Sequence, residues 1–425
     1  MIFTPPSTYE QIPSALEGIT VWRPRSQAKA AVAPQTYTCP QCGAATKYDV
    51  AAGGVACEYC GHTAQAAAQT VGRKAQESEF TVETWQQAAQ GWGVERRELH
   101  CESCGANLAV AEGSLTATCP FCASNKVNVR AAASEALRPH FVIPFKIQAA
   151  QLRTAVKAWL GRGWFHPGEL AASAAVGHFT GMYVSYWTFD ARVSAHWKAE
   201  VGHEVSERYY DHGDKEWKTR TKIEWRWENG QIEQTVDDLL ISGSSRLSQA
   251  LIKRVEPFNL HELAAYSPDF LAGWQAQAYD ITLPQAWSQG KNIVRQQAKE
   301  ACYQDTHSNH VRNFSMSADF ADETWRYILL PIYVATYRFG TKTFQVMVNG
   351  QTGNIAGQKP VAWWKVWLAM GALLAPGGLL GLIGLPLLAA AGVGLFVLIA
   401  SAILLAAGGM LAYNIYQQAV ASEAI

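Results

Sequence analysis

No Asp, Glu, Lys or Arg occurs between Val366 and Ser422, and this run constrains the chain more than any other feature. A membrane-spanning helix needs only about 20 apolar residues to cross a hydrocarbon core of about 30 Å. The run is too long for one such helix, so a hairpin of two is expected. A break at Pro376-Gly377-Gly378 leaves the first segment too short, whereas a break at Gly384-Leu385-Pro386 divides the run well. The predicted helices are Trp363 to Ile383 and Leu387 to Tyr413, with Pro386 near the first helical position, where its missing N–H costs little, and Pro376 kinking the first helix.

Trp363, Trp364 and Trp367 precede the first crossing, and Tyr413 and Tyr416 follow the second. Together they form an aromatic belt at one bilayer face, which puts both ends of the hairpin on the same side. Lys359 and Lys365 flank the start while the turn has no basic residue, so the positive-inside rule places the preceding domains and the tail in the cytoplasm. Gly371, Gly377, Gly378, Gly381, Gly392, Gly394, Gly408 and Gly409 permit close helix packing and would suit a homo-oligomer. With no ionisable group in the run, ion or proton transport is not expected.

The N-terminal residues MIFTPPSTYEQIPSALEG have no basic n-region and no long apolar run, so a cleaved secretory signal is not expected. Eight of the nine cysteines form four C-x2-C pairs, a pattern that suits metal thiolates in a reducing compartment better than a disulfide framework.

The pairs form two matched sets. Cys39-Pro40-Gln41-Cys42-Gly43 is followed, after fourteen residues, by Cys57-Glu58-Tyr59-Cys60; Cys101-Glu102-Ser103-Cys104-Gly105 is followed, after fourteen, by Cys119-Pro120-Phe121-Cys122. Gly43 aligns with Gly105, Ala44 with Ala106 and Tyr59 with Phe121, so the repeat extends beyond the cysteines. Two residues between cysteines let one tight turn aim both sulfurs at one ion, and the glycine permits the backbone that follows. Fourteen residues suffice for a hairpin opposing the two turns: Thr46 to Val50 with Val55 onward, and Asn107 to Ala111 with Ser114 to Thr118. Four sulfurs fill every position on Zn2+, so two structural ions are expected, one on Cys39, Cys42, Cys57 and Cys60 and one on Cys101, Cys104, Cys119 and Cys122.

Thirty-five basic residues balance thirty-five acidic ones, leaving no global field for capturing nucleic acid. Within the first set the charged residues are Lys47, Asp49 and Glu58, and within the second only Glu102 and Glu112. Each module is net negative before the thiolates are counted, which argues for protein contacts. Tyr59 and Phe121 are candidate anchors, or else pack on their own hairpins. The Ala- and Gln-rich stretch from Ala64 to Arg97 is expected to be a partly helical connector.

From His140 to Gly357 the pattern becomes aromatic strands with two amphipathic helices, around Leu152 to Leu160 and Gln285 to Cys302. Cys302 reads as a core thiol. Ile223, Trp225 and Trp227 lead into Asn229-Gly230, a type I′ hairpin signal; a second hairpin turns at Gly340-Thr341-Lys342, and Met182 to Ala199 is strand-rich. The histidines His203, His212, His307 and His310 match no H-E-x-x-H site, and Asp190 and Asp237-Asp238 read as turn or strand-end residues. No nucleophile elbow, phosphate loop or acid-base pair stands out.

Five segments make the middle region familiar: Ile143-Pro144-Phe145; Gly163-Trp164-Phe165-His166-Pro167; Gly181-Met182-Tyr183-Val184-Ser185-Tyr186-Trp187-Thr188-Phe189-Asp190; Leu330-Pro331-Ile332-Tyr333; and Val348-Asn349-Gly350-Gln351-Thr352-Gly353. With the cysteine modules and apolar hairpin, they resemble a bacterial family of zinc-ribbon membrane proteins, often labelled primosomal-helicase-like or transcription-factor-type. Ser185 stands where relatives usually place proline, and Tyr333 where they often place tryptophan. The resemblance implies an envelope role beside SPFH (flotillin-like) and phage-shock-type membrane-stress proteins. The helicase label fails on the residues, because no G-x-x-x-x-G-K-[ST] loop exists.

The expected chain is multi-domain. An N-terminal extension (1–35) is followed by a first zinc ribbon (36–63), the connector (64–97) and a second ribbon (98–125). An α+β domain dominated by antiparallel sheet (140–357), two transmembrane helices (361–416) and a cytoplasmic tail (417–425) complete it. The expected function is a non-enzymatic scaffold or adaptor in the bacterial inner membrane; the alternative is a membrane-tethered nucleic-acid-binding protein.

Overall fold

The computed structural model describes residues 9–12, 21–24, 38–65, 70–72, 75–81, 84, 96–103, 105, 107–111, 119, 124, 126–131, 137–173, 175–177, 179–213, 215–245, 248–388 and 393–423. In chain order, the first cysteine module folds as β1 (Lys47–Asp49), β2 (Gly54–Ala56) and β3 (Thr63–Gln65), an antiparallel sheet in that order. Tyr48 faces Val55 across β1 and β2, as the spacing predicts.

Tyr9–Ile12 and Val21–Pro24 pair as a separate ribbon, and a sheet of thirteen strands takes up the rest, including the two-residue strands Phe141–Val142, Ala175–Val176 and Ala264–Ala265 and ten others. The latter are β4 (Ser78–Glu79), β5 (Arg96–Cys101), β6 (Asn107–Ala111), β7 (Val127–Ala131), β8 (Thr180–Asp211), β9 (Glu216–Ser242), β10 (Gln275–Gln277), β11 (His310–Phe339), β12 (Lys342–Asn349) and β13 (Ile355–Gly357). Strand β8 lies at the centre, antiparallel to β9 on one side and β11 on the other. The second cysteine module joins the same sheet, since β6 pairs with β10 and β5 pairs with both β6 and β7.

The burial pattern along β8 explains its length. From Met182 to Phe189 every residue is buried, whereas from Ala191 to Val201 buried positions alternate with more exposed ones. A strand covered on both faces reads as a continuous apolar run, and one covered on a single face alternates. At the sheet's base, one face packs under helices α1 (Ala149–Leu160) and α3 (Leu283–Asp305), with Tyr183, Trp187, Phe189, Trp325 and Tyr327 in the core. The opposite face carries Met182, Val184, Tyr186, Ile328 and Leu330 under helix α2 (Gln249–Val255), together with buried Leu99, Cys101 and Cys119 of the second module. Farther out only α3 remains, its Ala298 and Cys302 packed on Ala195, Trp197, Ala199 and Val201. Cys302 is thus a core thiol. Beyond Gly202, which pairs with the first residue of β11, strands β8 and β9 continue as a two-stranded ribbon.

The turn expected at Asn229-Gly230 does not form. Both residues lie inside β9, opposite Lys198 and Trp197, and the chain reverses between Asp211 and Glu216 instead. Gly230 is needed for a different reason: a Cβ there would sit 2.6 Å from the indole Nε1 of Trp197, which donates to Asp305 Oδ2 at 2.8 Å. The turn signal was local, and cross-strand packing overrode it. The hairpin at Gly340, with φ +60°, is where the sequence put it.

The connector, expected to be partly helical, is helical at Thr84 and joins the large sheet before it. Ser78 and Glu79 pair with Trp325 and Thr324 of β11, and Phe80 packs on Phe189 and Trp287. Residues 85–95 lie outside the described residues.

At the C-terminus, helices α4 (Trp363–Leu387) and α5 (Val393–Glu423) are long and apolar enough to cross a membrane. The turn lies later than expected. Gly384-Leu385-Pro386 remains helical, so Pro386 ends the first helix rather than starting the second, and α5 runs on past Tyr413. A proline this near a helix C-terminus removes one backbone bond in the last turn and leaves the body of the helix intact. Gly377, Gly384 and Gly408 let the two helices touch, with Leu405, Leu398 and Leu373 filling the space of the missing side chains. Gly371, Gly378 and Gly409 face open space.

Both ends of the hairpin lie together, fastened to the base of the sheet. Lys359 N–H donates to Ser422 O (2.9 Å), and Trp363 Nε1 donates to Glu423 (3.0 Å), which also pairs with Lys342. The buried Lys359 ammonium donates to Trp159 O and Arg162 O, at 2.6 and 3.0 Å, at the C-terminal end of α1. Unpaired carbonyls and the negative end of the helix dipole favour a cation there. Lys365 donates to His166 O, and His166 Nδ1 donates to Pro360 O.

Gly230→Val tests the reading of Asn229-Gly230. It should destabilise the folded chain by about 1–3 kcal/mol through overpacking against Trp197, measured by thermal melting in detergent, whereas Asn229→Ala should change little.

Candidate metal centre

The first cysteine module brings its four sulfurs together. Cys39 Sγ lies 3.4 Å from Cys60 Sγ and Cys42 Sγ lies 3.5 Å from Cys57 Sγ, and all four lie within 4.8 Å of one another. Zn–S bonds of about 2.3 Å place sulfurs roughly 3.8 Å apart at the corners of a tetrahedron, so the set fits such an ion. The backbone holds the two turns alike: Gly43 N–H donates to Cys39 O and Gly61 N–H to Cys57 O, at 2.8 and 3.1 Å, both glycines at positive φ. Cys39 N–H donates to Ala44 O and Cys57 N–H to His62 O. Backbone N–H groups of Cys60 and Tyr59 draw the Cys57 thiol down to about 7, favouring the thiolate a metal requires.

The module is not a free arm. Tyr48 is buried among the large core, its N–H donates to Ala272 O at 2.9 Å, and its ring packs on Phe270 with centroids 5.4 Å apart. Tyr59, between Cys57 and Cys60, is 82% exposed. Of the two readings of this residue, packing on its own hairpin is excluded.

The second set is described in half. Cys101 and Cys119 are buried, and both repeat the backbone bonds of the first module: Gly105 N–H, at φ +71°, donates to Cys101 O, and Cys119 N–H donates to Ser124 O. Glu102 N–H donates to Lys126 O, and the hydroxyls of Ser103 and Ser124 meet at 2.7 Å, so the two turns face each other. Cys104, Cys122 and Phe121 lie outside the described residues, as does the return strand expected from Ser114 to Thr118. Strand β6 falls on the expected Asn107 to Ala111, but its partner is β5, which precedes the module.

One charged cluster escaped the sequence reading. Asp190, Asp237 and Asp238 bring a carboxylate oxygen each to within 4.8 Å of the others. Arg326, 1% exposed, donates to Thr188, Asp190 and Asp238 and pairs with Glu77 at 3.2 Å. Both ladders of β8 shift register at Asp190, which turns its carboxylate toward the guanidinium. Arg326 supplies one buried positive charge to these acids and ties them into an ion-pair network. Glu77 brings the connector into it, and Thr324 holds the other oxygen of the same carboxylate at 2.8 Å. Burial, with Glu77 adding to it, pushes the Asp190 carboxyl up to about 6 against the pull of Asp238 N–H and Arg326. No local pattern announces this site, since its four acids and one base are spread from position 77 to position 326.

The histidines are not brought into a metal site among the described residues. His203 contacts Glu228 at 2.6 Å and His310 contacts Glu204 at 3.1 Å, as separate pairs on the outer blade.

No protein-family model matches the chain, and no solved structure matches it. Among curated proteins it is similar to the uncharacterized protein YdjG of Bacillus subtilis (strain 168), with 24% identity over 237 residues. The match covers 54% of this chain and 66% of the relative, just under two thirds of its length.

Two outcomes are expected. Elemental analysis of the purified full chain should show a loss of one zinc equivalent in Cys39→Ser/Cys42→Ser. The second concerns Asp190. Its unfolded carboxyl titrates near 3.8 and its folded one near 6, so between these values the folded chain holds a proton the unfolded chain has lost. Stability should fall as pH rises through that window, by on the order of 3 kcal/mol. Asp190→Asn should flatten this fall in melting temperatures recorded from pH 3.5 to 7.

Proposed function

We propose that the protein is a non-enzymatic, membrane-anchored adaptor whose metal-built turns recruit protein partners. The observation that carries this reading is the exposed Tyr59 on a module locked to the sheet through Tyr48, with the sheet in turn locked to the apolar hairpin through Lys359 and Lys365. A rigid, acidic surface with one exposed aromatic is suited to a protein groove. Its one Lys or Arg, Lys47, is paired with Glu58, which leaves little for the phosphate contacts that nucleic-acid binding needs.

On this reading α4 and α5 span the bacterial inner membrane as a two-pass hairpin, and the basic flank at Lys359 and Lys365 keeps the sheet domain and tail in the cytoplasm. Both cysteine sets hold structural Zn2+, the second completed by Cys104 and Cys122. The buried polar joints of the motif residues support the resemblance to zinc-ribbon membrane proteins. His166 and Gly163 build the joint to the hairpin, and Asn349 holds a tight turn, donating to Val255 O while accepting from the N–H groups of Gln351 and Thr352. SPFH, flotillin-like or phage-shock-type proteins of a membrane-stress or microdomain system are the partners that resemblance implies.

Affinity purification from solubilised membranes tests the proposal. Tyr59→Ala should lose the partner proteins while retaining metal and melting temperature, and Cys39→Ser/Cys42→Ser should lose both partners and metal. Tight, steeply salt-dependent binding of DNA or RNA by the full chain would overturn the adaptor reading in favour of a tethered nucleic-acid module.

A further inference from the structure

Strand β9 leaves a long backbone edge open. Among the described residues it pairs with β8 alone, from Glu216 to Ser242, so the donors and acceptors of its other side have no strand beside them. Such an edge is a template for another strand. Its side chains select which one.

On one face Trp217, Trp225 and Trp227 are 64, 37 and 57% exposed. Trp225 leans over Gly202 beneath the Arg312 guanidinium, 4.0 Å from it, which leaves the flank of β9 clear. On the other face Lys222, Glu224, Arg226 and Glu228 alternate in sign. In a symmetric antiparallel pair the two-fold axis stands perpendicular to the sheet, directly opposite residues share a face, and one residue meets its own copy.

With the axis at Trp225, Lys222 meets Glu228 and Glu224 meets Arg226, each twice by symmetry. Ile223 meets Trp227 on the aromatic face, and Arg220 meets Gly230. No like charges are opposed across this stretch. Moving the axis to Glu224 opposes Lys222 to Arg226 and Glu224 to itself. Moving it to Arg226 opposes Glu224 to Glu228 and Arg226 to itself, and at Ile223 it opposes Arg220 to Arg226.

We propose that β9 is a dimerisation edge that takes β9 of a second copy of this chain, in the register centred on Trp225. Opposite charges and aromatic contacts across strands stabilise that register; like charges oppose those centred on Ile223, Glu224 and Arg226, and the one centred on Trp227 keeps only the Arg226–Glu228 pair. The two blades run in opposite directions about the axis. From Gly202, the partner of Trp225, to Thr180 at the base of β8 is about 70 Å of strand at roughly 3.3 Å per residue, so the two apolar hairpins sit at opposite ends of the joined blades. A dimer in one bilayer lays its blades along the surface.

The test uses the full chain in detergent, with a benzoylphenylalanine photo-crosslinker replacing Trp227. Crosslinks should join two copies and map, by mass spectrometry, to the segment around Ile223. Glu228→Lys and Lys222→Glu should each weaken the dimer about tenfold by sedimentation and reduce that crosslink, and the doubly swapped variant should restore both. Glycine-rich helices can hold copies together by themselves, so the position of the crosslink decides. Crosslinks to another polypeptide, to lipid, or to nothing would overturn the proposal, as would a double swap that fails to restore the dimer.

Discussion

The double burial of one stretch of sheet, Met182 to Phe189 against Trp325 to Leu330, underlies everything else in this fold. A strand covered on both faces has no solvent side, so its neighbours must bring helices to each surface. Helices α1 and α3 supply one cover, and α2 with the second cysteine module supplies the other. Only from that double-covered base can β8 and β11 run on as a thinner blade supported by α3 alone. Some of the polar groups within the base are matched, since Ser185 donates to Gln277 O, Trp187 Nε1 to Ile281 O and Tyr333 to Ile147 O, whereas the hydroxyls of Tyr183 and Tyr186 are buried without a hydrogen bond among the described residues. Ser185 also meets the Tyr327 hydroxyl at 2.8 Å. Proline at position 185 would supply neither contact.

The same base fixes the cysteine modules and the apolar hairpin relative to each other. Modules this small have little core of their own, and here each borrows one: Tyr48 enters the main core, while Leu99, Cys101 and Cys119 enter the opposite one. Arg326 pins the connector between them through Glu77. A buried charge network of this kind adds little to net stability compared with apolar packing, yet removal of one partner leaves a desolvated charge behind. Its effect is to specify where the connector lies, because only a carboxylate at that point of the chain completes the network.

What could be read from the sequence was local. The C-x2-C spacing, the apolar run, the amphipathic helices and the turn at Gly340 all depend on neighbours within some twenty residues, and each gives a pattern visible in one window. Asn229-Gly230 shows the limit. Turn chemistry is equally local, but whether a turn forms depends on what stands across the sheet, and Trp197 is a partner from another strand. The Arg326 network was illegible for the same reason, joining residues from the connector and three strands through bulges in register. The hairpin turn was expected too early because Pro386 was placed at the start of the second helix, where a proline costs least, whereas it sits in the last turn of the first. The missed Glu77 latch lies just before a two-residue strand held by β11, a contact with no local pattern.

Two tyrosines of the first cysteine module separate structure from recognition. Tyr48 sits on β1, is buried and is bonded through its backbone to Ala272, so its ring accounts for the docking of the module. Tyr59 sits between two metal-ligand positions and is held out into solvent by turns that the glycines at 43 and 61 fix. A single exposed aromatic needs no explanation on a surface at large. Here, however, the backbone around it is the most constrained in the module, and its position would be set by four sulfurs on one ion. Metal therefore would do more than stabilise the turns. By fixing Cys57 and Cys60 on either side, it would remove most of the backbone freedom that Tyr59 must otherwise lose on meeting a partner.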